Sequence, residues 1–127
     1  MADWPAALRS HLVTAGLASG RVHWGLRPKG SPLPALVLIA VSGEIRKTVE
    51  GDPDLRRSLI QADAYGLTHQ EAWTLIEAVF PVVDAPFTRD GVRFASAGHG
   101  PPRTLPDKAL DGTDLFRASA DLNLWHD

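Results

Sequence analysis

Asp63, Tyr65, His69 and Glu71 fall within one short stretch, "DAYGLTHQE", and supply the residue types of a general acid/base site. A carboxylate or imidazole within hydrogen-bond reach of a substrate proton is what such chemistry needs. His99, between two glycines in "AGHGPP", is a second candidate, as a catalytic or metal-binding residue. No other His, Asp or Glu stands at ligand spacing beside it. The five histidines, at 11, 23, 69, 99 and 126, form no local pair. Phosphate-loop, dinucleotide-binding, nucleophile-elbow and H-E-x-x-H motifs are absent from the chain. With no cysteine, disulfides, thiolate catalysis and cysteine zinc sites are excluded. No cofactor is implied.

The elements around these residues offer a different explanation for them. Thr68 and Glu71 stand in the pattern T-x-x-E, a capping box. Thr68 should accept from the N–H of Glu71, and Glu71 should reach back to the N–H of Thr68. Ala72, Leu75, Ile76 and Val79 then follow on one helical face, His69, Trp73 and Phe80 edge it, and Pro81 should end or kink the helix. "LRRSLIQADAY", 55–65, alternates as a strand, with Ile60, Ala62 and Ala64 on one side. Arg57, Leu59, Gln61, Asp63 and Tyr65 take the other side, which places Asp63 toward water. Gly66 serves the turn. The stretch is therefore explained as a strand-to-helix joint, with a catalytic site as the competing reading.

The remaining elements follow from the same patterns. Asp3 caps a first helix with Pro5 in its opening turn, a stripe of Trp4, Leu8, His11, Leu12 and Ala15, and Gly16 as its stop. His11 belongs to that stripe as a partly buried packing residue. Short and long strands are expected at 20–25 and 35–42, separated by a Pro-rich loop. "GEIRKTVEGDPD", 43–54, is half charged and fits either the end of a long hairpin or a loop, well placed to touch a partner. A strand follows the Asp90-Gly91 turn, and 98–112 reads as a second long loop. In the last segment Phe116, Ala118, Ala120, Leu122 and Leu124 alternate with Arg117, Ser119, Asp121, Asn123 and Trp125. This is a half-buried strand whose small inner alanines suit close packing beneath a helix.

The predicted fold is a single α+β domain over 1–127, a mostly antiparallel sheet of about four to five strands with two helices on one face, in the order α-β-β-β-α-β-β. At 127 residues and 44% apolar content, one hydrophobic core suffices. Thirteen Lys and Arg against 15 Asp and Glu leave no basic stripe for general nucleic-acid binding. The N-terminus lacks a signal-peptide pattern, and no apolar run is long enough to cross a bilayer. The expected location is the cytoplasm, unless the chain is built into a particle that leaves.

Across about residues 6 to 126, this order of segments resembles the tail-completion family of long-tailed bacteriophages and gene transfer agents, also called tail-to-head joining or tail-terminator proteins. The resemblance rests on "GRVHWGLRPKGSPLPALVL", on "IQADAYGLTHQEAWTLIEAV", on "DAPFTRDGVRF" and on "DLFRASADLNLWH". It implies a structural virion subunit forming a ring, expected to be six-fold, at the head-proximal end of a tail tube. Such a ring ends tube polymerisation and joins tail to head. Its partners would be further copies of itself, the tail tube protein and a head–tail connector or stopper. DNA would pass through without being specifically bound, and no membrane is involved. On this reading Arg57, Gln61, Asp63, Arg117, Ser119, Asp121 and Asn123 face the channel. Glu44, Arg46, Lys47, Glu50, Asp52, Trp24, Trp73 and Trp125 are candidates for subunit or partner contacts, tryptophan being enriched at interface hot spots. Two rivals remain: a monomeric or dimeric adaptor domain, and a small enzyme in which His99 and Asp63 meet in a pocket.

Overall fold

The structure, a computed structural model, describes residues 3–26, 32–46, 56–108 and 114–127, with only the backbone described at 42–46, 96, 105–108 and 114. Helix α1 spans Trp4–Thr14 and begins as its sequence requires. The Asp3 carboxylate accepts from Ala6 N at 3.1 Å, and Pro5 occupies the first turn, where a missing N–H costs nothing. Gly16 stops it at φ 82°, and a turn over Leu17–Gly20 carries Ala18 and Ser19 at φ 51° and 53°.

Three strands follow: β1, Val22–Trp24; β2, Ala35–Arg46; and β3, Arg56–Gly66. Helix α2 spans His69–Asp84 and continues three residues beyond Pro81, so that proline does not end it. Then come β4, Phe87–Arg89; β5, Val92–His99; β6, Arg103–Lys108; and β7, Asp114–His126. Among the described residues these make one seven-stranded sheet, β1-β2-β3-β7-β5-β4, with β6 also paired to β7.

The α+β class, the antiparallel character and the placement of the helices hold, while the strand count rises from four or five to seven. The two additions are β4 and β6. Strand β6 lies inside the segment expected to be loop and contains Pro106, paired opposite Phe116. Proline is tolerated there because β6 is a boundary strand, whose outward N–H needs no ladder partner. Strands β5 and β6 share one edge of β7, at its residues 122–126 and 114–119 respectively, separated by Gly100-Pro101-Pro102. The β1–β2 pair is parallel, and every other pairing is antiparallel. Strands β2 and β3 stay paired out to Arg46 opposite Arg56, so the charged stretch from 43 begins as the end of a long hairpin. Residues 47–55 lie outside the described ones.

The core lies between the helices and one sheet face. Ala7, Leu8 and Leu12 of α1 join Ala72, Ile76 and Val79 of α2 over Leu36, Leu38, Ile60 and Leu122, all fully buried. Fully burying a Leu or Ile side chain stabilises by roughly 1.5–3 kcal/mol. At the sheet centre Ala62 pairs with Ala120 and Ala64 with Ala118, all at zero exposure. Helix α2 packs across β3 and β7 on this patch of small side chains.

Candidate functional site

The joint between β3 and α2 is a joint. Thr68 Oγ1 accepts from Glu71 N at 3.0 Å, while Glu71 Oε1 accepts from Leu67 N at 3.0 Å, one residue earlier than the capping box predicts. His69 lies exposed on α2, its ring 6.1 Å from that of Trp73. Gly66 does not take a positive φ. Its glycine is required instead by α2, because a Cβ there would stand 2.8 Å from Ala72 N and 3.0 Å from Glu71 Cβ.

Asp63 departs from expectation in one respect. It lies on the sheet face opposite the helices, yet it is 1% exposed and does not face water. Val37 flanks it on β2 and Ser119 on β7, and both are buried. The Ser119 hydroxyl donates to its carboxylate, Gln61 Nε2 donates to both its oxygens at 3.0 and 3.2 Å, and Arg117 Nη1 stands 3.7 Å away. Buried carboxylates persist when satisfied in this way. The same face carries Arg57, whose guanidinium lies 6.0 Å from the centre of the Trp125 ring, and Asp121, 3.9 Å from Arg103. Asn123 pairs opposite Leu59 there.

His99 is on the other face. Its ring stacks on Phe80 of α2 with centroids 3.9 Å apart, and its Nε2 lies 3.5 Å from Asp84. The chain thus brings a carboxylate to His99 that sequence spacing did not show. It does not bring Asp63, so the pocket that the enzyme reading requires does not form between those two residues.

His11 packs as its helical stripe implies. Its ring lies parallel to Phe87 at 3.6 Å, Nε2–H donates to the Val82 carbonyl at 3.2 Å, and Nδ1 faces Arg89 Nη2 at 3.5 Å. Burial, opposed by the Val82 bond and reinforced by the Arg89 charge, holds its pKa below the ordinary 6.5.

A serine–histidine pair escaped the sequence reading. Ser58 Oγ donates to His126 Nε2 at 2.8 Å, and His126 Nδ1–H donates to the Asp127 carbonyl at 3.0 Å. The geometry matches a nucleophile and its base. Access does not: Ser58 is 1% and His126 0% exposed, with Trp4 stacked on the imidazole at 4.7 Å. The pair is a satisfied core contact. Extending the inward alternation of β7 by one step, from Leu124 to His126, puts the imidazole on the inner face, but only the β3–β7 register supplies Ser58 as its partner.

Of the three tryptophans expected at contacts, Trp24 is tied to α1, donating from Nε1 to the Pro5 carbonyl at 2.9 Å and meeting Trp4 edge-on at 5.7 Å. Trp73 and Trp125 are half-buried, on α2 and on the far sheet face. Glu44 and Arg46 lie on β2 with only their backbone described, and Lys47, Glu50 and Asp52 lie outside the described residues. Among the described residues no group of three or more His, Cys, Asp or Glu could hold a metal, and no helix is long and apolar enough to cross a membrane.

No protein-family model matches the chain, and no curated protein matches it. A solved structure does. It is described as "Virion of native gene transfer agent (GTA) particle", and a chain of it superposes with a TM-score of 0.60 at 15% identity, over 95% of this chain and 92% of that one. This protein shares the fold of a gene transfer agent virion chain. The likeness to that virion chain takes in nearly the whole length of both.

Proposed function

We propose that the protein is a structural virion subunit of a gene transfer agent or long-tailed phage. It forms a ring, expected to be six-fold, at the head-proximal end of the tail tube, where it ends tube polymerisation and joins tail to head. The observation that carries this reading is the near-complete fold likeness to a chain of a gene transfer agent virion. The sequence resemblance to the tail-completion family agrees with it independently.

The architecture suits the task. A closed ring needs two different, mutually matching side surfaces, and the two ends of this sheet differ: β1 and β2 at one, β4 and β6 at the other. The sheet face opposite the helices is then the channel side. Arg57, Gln61, Arg117, Asp121 and Asn123 are partly exposed on it, and Asp63 and Ser119 lie buried beneath. Glu44, Arg46, Lys47, Glu50 and Asp52, with Trp73, contact neighbouring subunits, the tube protein or the connector.

Electron microscopy of particles from a host lacking this gene alone tests the reading. Filled heads with separate tails, or tails of uncontrolled length, are the expected outcome. Normal tailed particles would overturn it.

A further inference from the structure

Three described arginines on the sheet face opposite the helices are each matched by a partner on the same face. Arg117 stands 3.7 Å from Asp63, Arg103 stands 3.9 Å from Asp121, and Arg57 lies 6.0 Å from the centre of the Trp125 ring. Strand register puts them there together. Arg57 is opposite Trp125, Asp63 opposite Ser119, Gln61 opposite Asp121, and Arg103 pairs with Ser119 from the other side. Asp63 is fixed in place, buried and held by Ser119 and Gln61. Asp121 is a surface group, its side chain 45% exposed beside the 49% exposed Arg103.

We propose that Asp63 and Asp121 are built-in counter-charges that keep Arg117 and Arg103 from gripping a phosphate backbone, so that duplex DNA passes this face without being retained. The proposal rests on the channel-side placement given above.

The physical argument concerns range rather than bond strength. An exposed pair such as Arg103–Asp121 contributes little to stability. Its acid lies within 4 Å of the cation, whereas charges in salt solution are felt over roughly 8–10 Å. An approaching phosphate therefore meets a short dipole instead of a free positive charge. Each free arginine on the face would add a phosphate contact and its counterion release, which is what makes DNA retention strong and salt-dependent. Arginine still serves the face, since its planar group packs over Trp125 and bonds across strands in ways that a neutral side chain cannot.

The test uses the purified full chain and fluorescence anisotropy with a labelled duplex of mixed sequence. Wild type should show no salt-dependent binding. Asp121→Asn leaves the fold intact because the residue is exposed, and should bind at low salt. Its affinity should fall roughly three- to fourfold between about 50 and about 200 mM salt, the change expected for one phosphate contact. Adding Arg103→Gln to that variant should abolish the gain. Glu77→Gln, on the exposed side of α2, changes net charge equally and should behave as wild type. The proposal fails if wild type already binds with this salt dependence, if Asp121→Asn matches wild type, if the gain survives loss of Arg103, or if Glu77→Gln gains equally. Any of these failures leaves the virion reading standing, because that reading is decided by the particles of the gene-deleted host.

Discussion

His11 shows how one side chain can make the chain acid-sensitive. Its Nδ1 accepts from Arg89, so protonation would place an N–H against a guanidinium, in a site where burial already opposes charge. The folded pKa lies below the unfolded 6.5, so the unfolded state binds the proton first as pH falls. The His11 contribution is therefore complete above pH 6.5 and is lost as pH drops through the lowered folded value. Urea midpoints should decline across this window in wild type and decline less in His11→Gln. Equal declines would show that His11 is not responsible. Gly66 makes the second prediction at this scale. A methyl group 2.8 Å from Ala72 N displaces backbone rather than a flexible side chain. Gly66→Ala should cost about 1–3 kcal/mol in equilibrium unfolding, although alanine normally gains over glycine in a strand.

Among the elements, α2 and its alanine floor are the most constrained pair. Ala62, Ala64, Ala118 and Ala120 are fully buried beneath α2, and their small volume sets how closely the helix approaches β3 and β7. Ala120→Leu should push α2 away and destabilise by about 1–3 kcal/mol or more, despite adding apolar surface. A variant as stable as wild type would mean that the interface is loosely filled. Helix and joint are coupled here: Thr68 fixes the start of α2, Gly66 lets that start approach the strand, and the alanines seat the rest.

For the whole molecule the relevant quantity is assembly into the proposed ring. The β2–β3 hairpin runs out to Arg46 and Arg56, leading into the most charged stretch of the chain. Reversing Arg46 and Lys47 together to glutamate should reduce the ring fraction measured by light scattering, most at low salt, where charge contacts are least screened. The monomer unfolding midpoint should stay unchanged. Rings of wild-type abundance at both low and moderate salt would remove these two residues from the contact surface.

What the chain determined by itself is whatever depends on residues three or four apart, or on alternation by two. The Asp3 and Thr68 caps, the Gly16 stop and the buried faces of β3 and β7 are all of this kind, because a cap bond or a pleat needs no distant partner. Tertiary structure decided the rest. Strand β6 exists because β7 offers it an edge, which outweighs the prolines that mark the segment as loop. Asp63 has the parity of a surface residue and is nonetheless buried, because Val37 and Ser119 arrive from strands 26 and 56 residues away in sequence. His99 meets Asp84, and Ser58 meets His126, only through sheet and helix packing. The need for glycine at 66 comes from the helix that folds back over it. In each case the deciding neighbour is brought by a long-range contact, and local spacing carries no trace of it.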